Sequence, residues 1–240
     1  MKIALSQLAT AALTLLIFSG CASVSVKESR FTEQKYPLRT PSIIFVRPFV
    51  FAPGALRVDR SGEDLRKFES IVAAQMANRL VELLGTSVAP ARLATLTERI
   101  QGKNAWVVEG QFDRLNQGSR ALRSVVGFGL GGTKMETTAL VYSLDKKGQQ
   151  TLLARIQTTG GSNAVPGAVL SGPVVAVPRL IFTAATTGVS SDSKRTARMI
   201  TAALSEQLSK AGAPLPAPAL RPKRPQVTEQ PPQIPIDPDY

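Results

Sequence analysis

The strongest constraint on the fold is a hydrophobic period of two that begins after Asn104. Apolar or small residues occupy every second position, at Trp106, Val108, Gly110 and Phe112. Polar residues occupy the positions between them, at Glu109, Gln111 and Asp113. Successive side chains of a strand point to opposite faces, so this pattern predicts a strand with one face in a core and one in water.

Other segments supply further strands. Residues 133–145 and 150–158 alternate or run apolar, and the turn sequence 145–148 between them predicts an antiparallel hairpin. Residues 42–51 are almost continuously apolar, as in a strand covered on both faces, with Pro48 at its end or on an edge. A short strand is also predicted over residues 86–89.

Helical spacing predicts three helices. The first begins with Ser61 as its capping residue and ends at Gly85, with an apolar stripe at Leu65, Phe68, Val72, Met76, Leu80 and Leu83. The second begins at Pro90 and ends at Gly102, with its stripe at Leu93, Leu96 and Ile100. The third spans 192–211, with its stripe at Ala197, Ile200, Leu204 and Leu208. The fold class is therefore α/β, a two-layer sandwich of a mixed β-sheet with about three helices in the order β-α-β-α-β-β-β-α.

The start of the chain has the layout of an export signal. Residues 1–20 place a Lys before an apolar run that ends in small residues, and Cys21 follows directly. The sequence Phe18-Ser19-Gly20-Cys21 resembles the bacterial lipobox, although Phe18 stands where Leu is usual. We therefore expect a cleaved signal, lipidation of Cys21 and a membrane attachment through that lipid. Ala22, where Asp would favour retention, suggests the periplasmic face of the outer membrane.

The remaining chain divides into three parts. Residues 21–40 are polar and patternless and are expected to form the lipidated N-terminus and a tether. Residues 41–211 are long enough for one α/β domain with its own core. Residues 212–240 are rich in Pro, which predicts a disordered or polyproline-like tail.

Composition excludes most catalytic chemistry. The chain has one Cys and no His, so Ser-His-Asp triads, Cys-His pairs and the usual zinc sites cannot form. Glu109 and Asp113 would lie about 13 Å apart along a strand, beyond the ~5–9.5 Å of glycosidase pairs. The pairs Ser193-Lys194 and Ser209-Lys210 are helix neighbours, which do not face each other. We expect no enzyme activity, no metal and no cofactor.

The net charge is strongly positive. It is +12 for the whole chain, and loss of residues 1–20, with one Lys and no acid, leaves +11. Such a charge favours anionic partners such as phosphate-bearing envelope polymers, although it also serves solubility alone. The basic residues are dispersed and aromatic residues are few, so nucleic-acid binding is not expected.

Residues 126–134, VGFGLGGTK, can be aligned with two phosphate-binding motifs, but neither fits. Both motifs need a helix directly after the loop, whereas a strand is predicted here, and Thr133 precedes Lys134 in the reverse of the P-loop order. We expect the glycines to serve backbone packing. The remaining functional possibility is an anion nest of backbone amides and basic side chains, at Arg120, Arg123, Gly127, Gly129, Gly131, Gly132 and Lys134.

Residues 160–189 carry a single charge, at Arg179, and three prolines. A loop or broken helix over the core would account for this composition. An exposed apolar surface for a partner would account for it as well, with candidate interface residues at Val169, Leu170, Val174, Val175 and Val177.

Four segments together carry a family resemblance: VVEGQFDRLNQGSR, GFGLGGTKMETTALVYSL, NAVPGAV and DSKRTARMITAAL. Over roughly residues 40–211 the chain resembles the bacterial lipoproteins grouped as domain of unknown function 4410. The resemblance implies an α/β domain in envelope lipoproteins and gives no catalytic residues. The sequence therefore predicts a non-enzymatic binding or assembly component of an envelope complex with a protein partner. A receptor for anionic polymers and a weak hydrolase stay as alternatives.

Overall fold

A computed structural model provides the structure of the protein. It describes residues 23–33, 38–100, 104–117, 133–145, 147–161 and 178–225, with the backbone alone over 178–188. The described chain is a mixed α/β fold with one eight-stranded sheet and two helices. This confirms the α/β class and the mixed sheet, whereas the prediction of three helices was wrong.

The strands are β1 (Ser23–Phe31), β2 (Ile43–Val46), β3 (Val50–Phe51), β4 (Leu56–Arg57), β5 (Ala91–Leu93), β6 (Ala105–Asn116), β7 (Lys134–Leu144) and β8 (Gln150–Gly161). They form one sheet in the order β1-β8-β7-β6-β2-β5, and β3 and β4 also pair with β6. The predicted hairpin is confirmed, because β7 and β8 pair antiparallel.

Strand β6 organises the sheet. On one side it pairs antiparallel with β7 along its full length, with a bulge between Phe112 and Arg114. On the other side it pairs in parallel first with β2, then with β3 and last with β4. The three short strands between residues 43 and 57 therefore all pair with β6. The prolines and turns between them interrupt this pairing, and it resumes after each interruption.

Both helices cover the same face of the sheet. They are α1 (Gly62–Ser87) and α2 (Pro178–Lys210), and they contact each other over this face. The largest fully buried side chains among the described residues lie here and include Phe49, Phe68, Met76, Leu80, Phe112, Ile156 and Leu204. The predicted apolar faces of the first and last helices thus form the main core.

The opposite face of the sheet, called the open face below, has no helix over it among the described residues. A second, smaller cluster covers one end of it and consists of Phe45, Ala94, Ile100, Ala105, Val107 and Leu144. The segment that follows β5 supplies two of these side chains. Most of the open face is polar, which is common for an antiparallel sheet with one solvated side.

The helix predicted between Pro90 and Gly102 is wrong over its described part. Residues Ala91–Leu93 form β5, which pairs in parallel with β2, and residues 94–100 contain no helix. The Pro90 carbonyl accepts a hydrogen bond from the Ile44 amide, 2.8 Å away, and so extends the pairing. The predicted strand over 86–89 is also absent, because Thr86 and Ser87 continue α1 past Gly85.

The N-terminal part of the domain differs from the predicted tether. Residues Ser23–Phe31 form β1, which pairs antiparallel with β8 from Ser23 opposite Gly161 onward. Val24 and Val26 are buried in the main core. The sequence signal was weak because only these two apolar residues alternate before a bulge and a polar stretch.

The start of the last helix and the course of the tail also differ from the prediction. Helix α2 begins at Pro178, so its backbone includes the C-terminal part of the 160–189 segment, and Val189 is buried. After the helix, residues 213–225 have no regular structure but run back along α2. The Leu220 amide donates to Ser205 Oγ at 3.1 Å, and the Val26 amide donates to the Lys223 carbonyl at 2.7 Å. This part of the predicted disordered tail is therefore ordered by backbone hydrogen bonds.

No helix in the described part of the chain combines the length and the apolar character needed to cross a membrane.

Candidate functional site

Most functional residues proposed from the sequence lie outside the described residues. These are the lipidation site Cys21, the nest residues Arg120, Arg123, Gly127, Gly129, Gly131 and Gly132, and the interface residues Val169, Leu170, Val174, Val175 and Val177. Lys134 is the described exception. It begins β7, and its ammonium group forms an ion pair with Glu136 at 2.9 Å.

The side-chain pairs weighed as catalytic dyads have other surroundings. Ser193 is fully buried while Lys194 is exposed, so the two side chains point apart on α2. Lys210 forms an ion pair with Glu206 at 3.3 Å, on an exposed part of the same helix. Glu109 and Asp113 both lie on the open face, where each binds other partners.

The candidate site is a concavity of about 370 Å³ on the open face. Three neighbouring strands form its floor, because Glu109 of β6 lies opposite Leu140 of β7, which lies opposite Arg155 of β8. Gln111 and Thr138 form the next row. Pro48, Val50 and Leu96 form the margin.

Ion pairs hold the charged side of this concavity in place. Arg47 Nη1 donates to Glu109 Oε2 at 2.9 Å, and Arg47 Nη2 donates to the Glu98 carbonyl at 3.2 Å. Arg92 donates to the Glu98 carboxylate at 2.6 Å while its guanidinium lies 4.4 Å from the ring centre of Phe45. Because the Arg47 and Glu109 side chains are only 15% and 29% exposed, this pair is held more firmly than a fully solvated one.

A second polar group extends along the same face. The Asp113 carboxylate accepts hydrogen bonds from Gln111 Nε2 and from Thr138 Oγ1, both at 2.6 Å. Gln157 Nε2 donates weakly to Thr138 Oγ1 at 3.4 Å. These contacts fix the orientation of four side chains from three strands, so the polar face is already organised before any ligand arrives.

Ionisation on this face follows from the same contacts. The hydrogen bond from Arg92 lowers the pKa of Glu98, and the hydrogen bond from Lys134 lowers the pKa of Glu136. Burial, with a smaller effect of the Glu109 charge, raises the pKa of Tyr142. At neutral pH both carboxyls are ionised and the phenol is neutral, so the carboxylates serve as charge partners and not as proton donors.

Apolar side chains line the margin and continue into a second groove. Val50, Leu93 and Leu96 are 47%, 45% and 54% exposed, and each of them lines one or both of two adjoining depressions. A groove of about 480 Å³ lies between α1 and the segment after β5, and it shares Pro48 and Leu96 with the first concavity. The two depressions thus meet at one apolar margin, called the apolar rim below and formed by Pro48, Val50, Leu93 and Leu96.

Arg155 is a cation available to a ligand. Its side chain is exposed and, in the described part of the chain, it has no ion pair or side-chain hydrogen bond. Its neighbour in the register is Arg30 of β1, whose guanidinium pairs with Glu28. Among the described residues there is no cluster of three or more His, Cys, Asp or Glu side chains that could hold a metal ion.

Sequence reasoning assigned Glu109, Gln111 and Asp113 to the wet face of a strand, and the structure places them there. It missed Arg47, Leu96 and Arg155 as members of one site. The signals for them were weak: an Arg directly after an apolar strand, and a Leu whose spacing also suited a helix.

These features define a class of α/β protein in which two helices cover one face of a mixed sheet and the other face carries polar groups. The chain belongs to the family described as Domain of unknown function (DUF4410), whose profile matches residues 45–171. The match begins in β2 and extends beyond β8, and it confirms the resemblance noted in the sequence. None of the curated proteins matches the chain.

Two solved structures are similar to the chain at low identity. One is the PelC dodecamer from Paraburkholderia phytofirmans in space group P6, with a TM-score of 0.33, 13% identity, and coverage of 70% of this chain and 95% of that chain. The other is a single-residue variant of that dodecamer in space group C2, with the same TM-score and identity and coverage of 70% and 96%. These values are too low to transfer any property to the present chain.

Proposed function

We propose that this protein is a non-enzymatic binding component of a bacterial envelope complex. Lipid on Cys21 anchors it to the periplasmic face of the outer membrane, and its open face receives a protein partner. This function goes beyond the family assignment, and separate observations support its two halves.

The anchor is supported by the sequence that precedes the first strand. Cys21 follows an export-type segment, and β1 begins at Ser23, two residues later. Two residues span at most about 7 Å. A lipid on Cys21 would therefore hold the sheet directly at the membrane surface.

The binding role rests on the open-face concavity. Its volume of about 370 Å³ is within the usual range for ligand sites, and its charged groups are already held by hydrogen bonds. Protein interfaces commonly combine an apolar centre with polar groups around it. The apolar rim beside fixed polar rows matches that composition, which favours a protein partner over a small polar molecule.

A non-enzymatic role agrees with the charges at the site. The Glu98, Glu109 and Glu136 side chains each pair with a basic side chain, which suits recognition. A hydrolase would instead need a group with a pKa shifted toward neutral pH to donate or remove a proton.

The test introduces a charge into the apolar rim. A photo-crosslinker at Val50 should capture a defined partner in membranes of the native host, and Leu96→Asp should reduce that product by about tenfold or more, since an unpaired charge is costly to bury in an interface. Leu152→Asp is the matched control, because Leu152 is exposed on β8 but does not line either depression. Both variants should melt like the parent.

Equal crosslinking by the parent and Leu96→Asp would show that the apolar rim is not the interface. Hydrolytic turnover that is lost in Glu109→Gln would refute the non-enzymatic role.

A further inference from the structure

A second surface lies at the other edge of the sheet, where β1, α2 and the tail after α2 meet. Its exposed side chains are basic, and we call it the basic surface: Lys27, Lys194, Arg198, Arg221 and Lys223. The five residues come from three separate parts of the chain, and these three parts contact one another.

Backbone contacts fix the tail portion of this surface. The Lys223 carbonyl accepts a hydrogen bond from the Val26 amide at 2.7 Å, next to Lys27. The Lys223 amide donates to Met199 Sδ at 3.3 Å, next to Arg198 on α2. Lys223 thus takes part in both hydrogen bonds, whereas Lys27 and Arg198 each adjoin one of its partners in the sequence. Lys194 precedes Arg198 by four positions, about one helical turn, so both lie on one side of α2.

The positive charge of this surface is not neutralised locally. None of its five side chains has an ion pair in the described part of the chain. The carboxylates of Asp192 and Glu206 on α2 already have basic partners, since Asp192 pairs with Arg195 at 3.1 Å and Glu206 pairs with Arg224 at 2.7 Å. Each of the five cations is therefore exposed and has no ion pair within the described chain.

The basic surface also lies close to the proposed anchor. Val26, which holds the tail, is three residues from the first residue of the sheet and five from Cys21. A lipid at Cys21 would bring this edge of the domain to the membrane first. An acyl anchor and a basic patch reinforce each other, because each basic residue near an anionic lipid surface adds to the attraction.

We infer that the basic surface docks on the anionic lipid headgroups of the membrane to which the protein is anchored. The inference rests on the proposed envelope location and adds a second membrane contact, which sets the orientation of the domain. With this edge on the membrane, the open face with its apolar rim stands to the side and is accessible to a partner.

The test uses the full chain with Cys21→Ser, so that no acyl chain contributes to binding. Vesicles of phosphatidylcholine with phosphatidylglycerol should bind this protein, and vesicles of phosphatidylcholine alone should bind it much less. The triple variant Lys194→Gln, Arg198→Gln, Lys223→Gln should bind the anionic vesicles on the order of a hundredfold more weakly, at roughly fivefold per residue. Binding of the parent should fall as salt rises.

The matched control is Arg57→Gln, Arg66→Gln, Arg99→Gln, which removes the same charge from β4, α1 and the segment after β5. All three side chains are exposed and lack ion pairs in the described chain. Because the export segment is present in every variant, it cannot cause a difference between them. The single variants Lys194→Gln and Lys223→Gln, on separate elements, give a second measurement should the triple variant melt early.

An equal loss of binding in both triple variants would refute the inference, since net charge alone would then account for binding to the anionic vesicles. Tight binding to a soluble polyanion such as dextran sulfate, with no preference for anionic vesicles, would also refute it and favour an anionic polymer as the ligand. Lipidation of Cys21 is scored separately by acyl labelling of the wild-type chain, so failure of the anchor and failure of the basic surface give different results.

Discussion

The ring of Phe49 occupies the space that a side chain at Gly110 would need. A Cβ atom on Gly110 would lie 2.7 Å from the Phe49 ring and 2.5 Å from the Thr138 carbonyl oxygen. Phe49 is buried and packs edge-on against Phe112, with ring centres 5.8 Å apart. The glycine in the middle of β6 is therefore a packing requirement of the core beneath the candidate site.

Gly110→Ala should destabilise the protein by about 1–3 kcal/mol or more, because the ring or the neighbouring strand must shift to admit the methyl group. Urea unfolding would measure the change. Gly85→Ala is the matched control, since its Cβ would make only an ordinary 3.9 Å contact with the Ala91 amide. Because Gly85 lies within a helix, its replacement by Ala should raise the free energy of unfolding by up to about 1 kcal/mol. Equal stability of Gly110→Ala and the parent would contradict the packing argument.

Removal of the tail should weaken the domain at its edge. A chain that ends at Gly212 loses the partners of Val26 and Ser205, at about 1 kcal/mol for each hydrogen bond. It also uncovers part of β1, which should promote association through the exposed strand edge. Urea unfolding and light scattering would report the two effects. A chain that ends at Pro225 keeps these contacts and should behave like the parent, and any marked loss in that control would contradict the assignment.

Acid should weaken the ion pairs of the open face. The pKa values of Glu98 and Glu136 are lowered below 4.5, so each ionised carboxylate stabilises the folded state above that value. This contribution disappears as the pH falls through the lower folded pKa. Compared with the parent, the variant Glu98→Gln, Glu136→Gln should be less stable at neutral pH and should lose less stability on acidification. Melting curves of the parent and the variant, from neutral pH to below pH 4.5, would test this expectation. Parallel pH profiles of the two proteins would contradict it.

Cys21→Ala should release the protein from the membrane, because the thiol that would carry the lipid is missing. Fractionation after a high-salt wash and labelling with a palmitate analogue would measure this outcome. Phe18→Leu, which restores the usual residue of the lipobox, should label at least as well as the wild type. Continued labelling of Cys21→Ala would rule out the lipobox assignment.

The elements with long periodic patterns could be predicted from the sequence. The alternation after Asn104 located β6, and the stripe from Leu65 to Leu83 located α1 within two residues at its end. In both cases the local pattern and the tertiary surroundings favour the same structure, because each element buries one continuous face.

The segment after Pro90 shows where local reasoning fails. The positions of Leu93, Leu96 and Ile100 suit a helix, yet Leu93 and Leu96 are exposed while Ile100 is buried against the open face. Hydrogen bonds from β2 to residues 90–94 decide the conformation, and a sequence window contains no information about that pairing.

The candidate site could not be predicted from the sequence for a related reason. Glu109, Leu140 and Arg155 become neighbours through the register of three strands, and Leu96 joins them from a segment whose course depends on β5. Alternation indicates which face a residue occupies, but it does not fix the neighbours across the sheet.

The pairing of β1 imposes an order on folding. Within the described sheet, β1 pairs with β8 alone, and the tail residue that joins it lies nearly two hundred positions farther along the chain. Contacts between residues so distant in sequence form slowly, because a long loop must close first. If the chain is exported as proposed, β1 has no partner in the sheet until residues 150–161 have also crossed the membrane. During that interval the proposed lipid site, two residues before β1, would be accessible to the enzymes that attach the lipid.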